Sequence, residues 1–338
     1  MDDSGRYEFS IPVRRNGGLP SARSSFVEQY AKGFQISLEV CPPCDEYKTG
    51  LDDILEGVSA LNDRVLSLTD LPIPYVFVTC GALGKGEEGT LNTAVGLQEK
   101  GFTPVVHVTC KYKGREEIAE YLDSLLSEGI SHLLVIRGDK SEGESRLYIP
   151  EEGFQHASDL IEFVHGYDSR FVVAGAAHPD GHPEAVSRND DFRYSFHKFM
   201  GADHFVSQFT LYPNNFGDLF LKVNRLRNRN GMFPVTMIPS LIPVSSAKKI
   251  EKLSPVCGFK APDDVAGYLR TNPVGEGCDS FADFQTRLYQ VYERCCSGVH
   301  IYTRNFFKSS VRYLRSVEEA KYRSERKVRS SEGLSRVC

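Results

Sequence analysis

The sequence predicts an α/β fold of the (β/α)8 type, a TIM barrel formed as a single domain with an N-terminal arm and a basic C-terminal tail. Three observations carry this expectation. Eight strand-like runs are each followed by a helical segment over about 280 residues, close to the roughly 250 such a barrel needs. The stretch His132 to Ile136 is an apolar run of strand length that stops abruptly at Arg137-Gly138-Asp139, as a parallel strand buried on both faces does. No Gly-x-Gly-x-x-Gly follows the first strand, which counts against the competing doubly wound sheet.

The elements follow in order. Residues 1–33 are rich in Ser, Arg and Gly without sustained periodicity and read as a flexible extension. Phe34 to Val40 is a strand stopped by Pro42-Pro43, and Gly50 to Leu61 is amphipathic. Tyr75 to Thr79 is β-branched and aromatic; Thr90 is placed to cap a helix running to Lys100. Val105 to Cys110 is the third strand, and its helix, Arg115 to Ser127, is stopped by Gly129. After the fourth strand come a helix at Phe154 to Val164, a strand at Phe171 to Ala177 and a helix at Asp190 to Met200. His204 to Phe209 and Val235 to Ile238 are strands six and seven, with helices within Asn214 to Asn228 and Ser245 to Leu253. A short helix at Asp263 to Leu269, a longer one from Phe281 to Cys295, the eighth strand Val299 to Thr303 and a closing helix from Phe307 to Leu314 complete the barrel over residues 34–314. Residues 315–338 read as a basic, Ser-rich mobile tail.

Composition narrows the function classes. At 338 residues, 41% hydrophobic and 25% charged, the chain has material for a large core. A net charge of -5 and a pI near 6.0 give no general attraction to nucleic acid or to anionic membranes. No apolar run approaches the roughly 20 residues that span a bilayer, and Met1-Asp2-Asp3 does not open a secretory signal. The expected compartment is the cytoplasm, with the mitochondrion as the alternative. Nine cysteines suit a reducing compartment, and Cys41-Pro42-Pro43-Cys44 lacks the helix-opening context of a redox pair.

In such a barrel the active site lies at the C-terminal ends of the strands, so polar residues there are the candidates. They are Glu39, Thr79, His107, Thr109, Arg137, Asp139, His178, His182, Gln208, Tyr302, Thr303 and Asn305. Each also has a plain structural use, since threonine suits strands and a buried histidine needs only a hydrogen-bond partner. No metal is expected: the histidines and cysteines lack ligand spacing. Gly81-Ala82-Leu83-Gly84-Lys85-Gly86 lacks the spacing and the Ser or Thr of a phosphate loop.

These residues, in this order, resemble the methylenetetrahydrofolate reductase family over about Phe34 to Asn305. The motifs are Ser37-Leu38-Glu39 before Pro42-Pro43, Val78-Thr79-Cys80-Gly81-Ala82, His107-Val108-Thr109-Cys110 and Arg137-Gly138-Asp139, then His182-Pro183-Glu184-Ala185, Ser207-Gln208-Phe209 and Ile238-Pro239-Ser240-Leu241-Ile242-Pro243. The resemblance implies an FAD-dependent oxidoreductase that takes hydride from NADH or NADPH and reduces 5,10-methylenetetrahydrofolate to 5-methyltetrahydrofolate. It implies Glu39 as general acid, Asp139 beside flavin and folate, and Gln208 on the pterin, with Asn305 among the folate contacts. It carries FAD contacts onto Thr79, His107, Arg137, Gly138, Asp139, Ala157, His182, Asp191 and Lys198, with His156 where relatives have a flavin-adjacent Tyr.

Departures from the family pattern accompany this. Leu38, Val40 and Cys41 replace aromatic residues around the first-strand glutamate, and His178 replaces a Tyr. The family's Tyr-Thr-Leu-Asn-Arg reads Tyr302-Thr303-Arg304-Asn305-Phe306, which displaces the folate-holding arginine by two positions. Nothing after Leu314 is long enough for the regulatory domain of larger relatives. A catalytically silent barrel serving a larger assembly through arm and tail is therefore the alternative reading, and a barrel using another pterin or methyl carrier is a third. Homo-oligomerisation is also expected to be open to such a barrel.

Overall fold

The computed structural model describes residues 29–43, 49–80, 89–139, 147–244, 246–271, 278 and 280–334. Its strands are β1 (Gln35–Val40), β2 (Val76–Val78), β3 (Pro104–Thr109), β4 (His132–Ile136), β5 (Val172–Ala177), β6 (His204–Ser207), β7 (Met237–Ile238), β8 (Ser240–Leu241) and β9 (Gly298–Tyr302). All pair in parallel, in the order β7-β6-β5-β4-β3-β2-β1-β9-β8. The seventh stave is split, because Pro239 has no N–H to continue a ladder. Its first half pairs with β6 (Phe205 opposite Met237) and its second with β9 (Ser240 opposite His300), so this one stave closes the barrel. Across the break, His300 N donates to Pro239 O at 2.8 Å.

The helices are α1 (Leu51–Thr69), α2 (Thr90–Glu99), α3 (Arg115–Ser127), α4 (Ala157–Tyr167), α5 (Arg188–Tyr194), α6 (Phe196–Gly201), α7 (Pro213–Arg229), α8 (Ala247–Cys257), α9 (Val265–Thr271), α10 (Phe281–Cys295) and α11 (Phe307–Leu334). Their apolar stripes pack on the outer face of the staves, where Ile36, Leu38, Val40, Val76, Val78, Val106 and Val108 are buried. A second, smaller core fills the barrel's interior with Tyr30, Tyr75, Phe77, Val105, Leu134, Ala174, Val206 and Ile238. The two cores follow from period-two alternation along each strand.

Several expected boundaries move. The helix expected to start at Phe154 starts at Ala157: His156 is extended, and its amide is taken by the Asp159 carboxylate. The helix expected over Asp190 to Met200 is two helices, broken at Ser195, where ψ is 2°. The closing helix does not end at Leu314 but continues to Leu334, through the segment read as a mobile tail. Ser310, Tyr313, Leu314 and Val317 recur at helical spacing and are buried, and Arg64–Glu318 and Lys321–Glu293 ion pairs tie the helix to α1 and α10. At the other end, the arm read as residues 1–33 already packs by Tyr30, which is 5% exposed. Residues 1–28 and 335–338, Cys44 and the Gly81 to Gly86 loop lie outside the described residues. Among the described residues no helix is long and apolar enough to cross a membrane.

Candidate active site

Glu39 sits near the C-terminal end of β1, on the interior face shared by Gln35 and Ser37. Its Oε2 lies 3.7 Å from His107 Nε2 on β3 and 3.9 Å from His300 Nε2 on β9. Strand register does this: β9 sets His300 opposite Ser37 and Tyr302 opposite Glu39. Ser37 Oγ lies 2.9 Å from His300 Nδ1, and Tyr302 Oη donates to Ser207 O at 3.1 Å. Burial, opposed by the Glu39 charge, pushes the His107 imidazole down to about 4, so it is neutral at pH 7. A carboxyl group beside two imidazoles at a strand end can hold and hand over a proton.

The rim above β4 and β5 gathers basic groups. Arg137 Nη2 donates to Glu184 Oε2 at 2.8 Å, and the His178 and His182 rings meet edge to face at 4.9 Å. Burial first, and then Lys198, His182 and Arg137, hold His178 well below its ordinary range. Lys198 is lowered by burial and by Arg137, against the raising effect of Asp191, which is itself buried. His178 Nδ1 and Thr79 Oγ1 are buried without a protein partner. Gly138 has φ +92°, and a Cβ there would lie 3.1 Å from Lys111 Cβ, so the chain passes close beneath the rim. Such a concentration of desolvated donors suits an anionic ligand.

Not every expected site residue points the same way. Gln208 spans the mouth, donating to Cys257 O at 2.7 Å and accepting from Phe209 N at 2.8 Å. Asn305 Oδ1 accepts from Cys41 N at 3.0 Å while its Nδ2 donates to Cys41 O at 2.9 Å, so its amide holds the end of β1. His156 is exposed at the start of α4 beside Ala157, and Asp139 is exposed past β4. Cys257 sits where charges converge: burial pushes its thiol up to about 11, with Glu39 and Asp139 raising it and Arg304 lowering it. Ser37 and His300 are site residues that the strand-end reading did not single out. Alternation with Glu39 and Tyr302 was the available signal for both.

Fold and site together define a (β/α)8 barrel with a carboxyl–histidine centre at its mouth and a basic rim beside it. The family model for methylenetetrahydrofolate reductase matches residues 26–317. The maize methylenetetrahydrofolate reductase (NADH) 1 is 26% identical over 307 residues, covering 85% of this chain and 49% of the relative. The 5,10-methylenetetrahydrofolate reductase of Pectobacterium carotovorum is 27% identical over 236 residues, covering 68% of this chain and 70% of the relative. This chain thus spans about half the length of the plant relatives it matches. A solved Clostridium thermocellum protein described as binding two copies of 5-methyl-5,6,7,8-tetrahydrofolic acid shares the fold, with a TM-score of 0.59 at 14% identity over 87% of this chain and 99% of that one. The chain belongs to the methylenetetrahydrofolate reductase family.

Proposed function

We propose that this chain is a flavin-dependent reductase that converts 5,10-methylenetetrahydrofolate to 5-methyltetrahydrofolate at the expense of NADH or NADPH. The observation that carries the reading is Glu39, a carboxyl group at the barrel mouth flanked by His107 and His300. The maize relative's name supports NADH as the donor to try first.

FAD, when bound, supplies the hydride-transfer chemistry that no side chain can. The residues fit it: Thr79 offers a buried unpartnered hydroxyl, Gly138 the left-handed turn that carries the chain past β4, and Arg137 and Lys198 cationic groups for a pyrophosphate, with His182 beside them as an imidazole that burial keeps neutral. His107, Asp139, His156, Ala157 and Asp191 complete the assigned set. Arg137 exchanges Glu184 for the incoming anion.

Glu39 donates its proton to the folate nitrogen that leaves as the five-membered ring opens, and the two imidazoles keep the carboxyl group oriented. Gln208 turns from Cys257 O to the pterin, and Asp139 places negative charge beside the reacting centre. We assign Asn305 to positioning β1 rather than to touching folate, and Arg304 to the place of the displaced family arginine. Residues 34–314 form the catalytic unit, working in the cytoplasm on a small-molecule substrate.

The test is an absorbance spectrum between about 300 and 550 nm, before and after anaerobic addition of each nicotinamide. Flavin bands that bleach, and return on adding 5,10-methylenetetrahydrofolate, support the reading. A colourless protein that takes up no FAD turns it toward the silent-barrel alternative, which Phe306 at the arginine position favours.

A further inference from the structure

On the β5–β6 side of the rim, an open cavity of about 490 Å³ is lined by Asp180, Arg188, Tyr212, Asn215, Phe259 and Lys260. That volume is within the roughly 300–1,000 Å³ of small-molecule sites. None of the six takes part in the function proposed above. Gly181, at φ +83°, closes a turn by donating its N–H to His178 O at 3.0 Å, and the turn carries Asp180 to the start of α7. Gly258, at φ +69°, ends α8 with its N–H on Ser254 O at 3.0 Å, and the chain beyond it brings Phe259 and Lys260 to the cavity.

The charges around this cavity are kept apart. Asp180 is 5% exposed; its Oδ1 accepts from Thr210 Oγ1 at 3.0 Å and from Asn215 Nδ2 at 2.7 Å, while its Oδ2 is buried without a protein partner. Arg188 does not supply that partner. Its Nη1 donates to Asn215 Oδ1 at 2.8 Å and its Nη2 to Asn215 O at 3.3 Å, and its ion pair, at 4.0 Å, is with Asp218. The Asn215 amide thus bridges acid and base where a direct pair would neutralise both. Burial raises the Asp180 carboxyl group; its two hydrogen bonds and, through space, Arg188 and Lys260 oppose the rise. What Asp180 lacks is a cationic donor at Oδ2.

A ligand that suits this lining carries both signs of charge. An anion alone would meet the Asp180 carboxylate, and a cation alone would meet Arg188 and Lys260. A zwitterion satisfies both, and the rings of Tyr212 and Phe259 offer apolar surface to the rest of it. We propose that the cavity is a binding site for a free α-amino acid with an apolar side chain. Its ammonium group completes Asp180 Oδ2, its carboxylate lies between Arg188 and Lys260, and its side chain rests against Tyr212 and Phe259. This site stands independently of the function proposed above.

The test is titration calorimetry of the full chain with L-leucine and L-phenylalanine, and with the two halves of leucine, 3-methylbutylamine and 4-methylpentanoate. At least one of the amino acids should bind one to one with a Kd of about 1 mM or tighter, and each half should bind at least about tenfold more weakly than leucine. Asp180→Asn keeps the shape and the Oδ1 contacts but turns Oδ2 into a donor, so affinity should fall about tenfold or more. Lys260→Gln, at an exposed position that leaves folding intact, should weaken binding about threefold, as a screened pair does. No saturable binding of either amino acid up to about 10 mM overturns the proposal. Equal binding of 4-methylpentanoate makes the cavity an anion site, equal binding of the amine makes it a cation site, and either result overturns it. Amino-acid binding that survives Asp180→Asn unchanged lies elsewhere on the chain and overturns it too. If that variant fails to fold, the comparison of leucine with its halves on the wild type and the Lys260→Gln titration decide, and wild-type affinity in Lys260→Gln counts against the site.

Discussion

Ser37 and His300 lie 263 positions apart in the chain, yet Ser37 Oγ and His300 Nδ1 are 2.9 Å apart inside the barrel. The β1–β9 ladder that closes the barrel makes this contact, setting the two residues directly opposite each other. One residue further along each face, the same ladder places Tyr302 opposite Glu39. The Glu39 carboxyl group therefore stands on an internal support whose parts come from both ends of the barrel.

Glu39→Gln tests the acid directly. The amide keeps the size of the side chain but has no acidic proton to give, so folate reduction should fall by about a hundredfold or more while flavin reduction by nicotinamide continues. Rapid mixing of each half-reaction separates the two. Loss of both in a folded, flavin-loaded variant removes Glu39 from the role assigned to it.

Arg304 and Asn305 are consecutive non-glycine residues with positive φ, 51° and 57°. Such conformations cost roughly 1–3 kcal/mol each and persist where the surroundings impose them. Here Asn305 is clamped to Cys41, and the turn brings Arg304 to the mouth, where Cys257 feels its charge together with those of Glu39 and Asp139. Arg304→Gln should raise KM for the folate about tenfold, near 1.4 kcal/mol of binding, with kcat little changed. A variant with wild-type KM would mean that Arg304 does not hold the folate and would favour the catalytically silent barrel, in which Phe306 stands at the arginine position.

Gly298 begins β9 where the Tyr30 ring enters. An alanine Cβ would fall 2.4 Å from Gln35 O and 3.0 Å from Tyr30 Cε1. The first of these is backbone within a ladder and has nowhere to go. Gly298→Ala should cost about 3 kcal/mol or more, and chemical denaturation measures it. A loss under about 1 kcal/mol would mean that β1 and β9 move apart at Gln35 and that the Tyr30 ring yields with them.

The fold was legible because its signals are local: α3 and α10 begin and end where periodicity and flanking residues place them. The continuation of α11 was not, since its polar surface reads as a tail until α1 and α10 supply Arg64 and Glu293 as partners. Glu39, His107 and the Arg137 rim were legible as polar residues at strand ends. Ser37 and His300 were not, because each lies mid-strand, and only register reveals that they meet. Asn305 shows the converse: its position promises a ligand, and its amide is spent on Cys41.

Histidines inside the barrel should make the protein sensitive to mild acid. Burial lowers His132, with a Tyr75 ring 5.3 Å away, from 6.5 to about 4, and it does the same to His107, against the Glu39 charge. The unfolded chain binds these protons more readily than the folded one, so stability rises with pH across this interval. The contribution is fully present above pH 6.5 and is lost progressively as pH falls toward about 4, on the order of 3 kcal/mol for each residue. Urea midpoints at pH 7 and pH 4.5 measure the loss. His132→Gln removes one titrating group, and its midpoint should fall less between those two values than that of the wild type. Equal falls in both proteins would place the acid sensitivity among the carboxylates instead and leave His132 as a packing residue at the barrel's base.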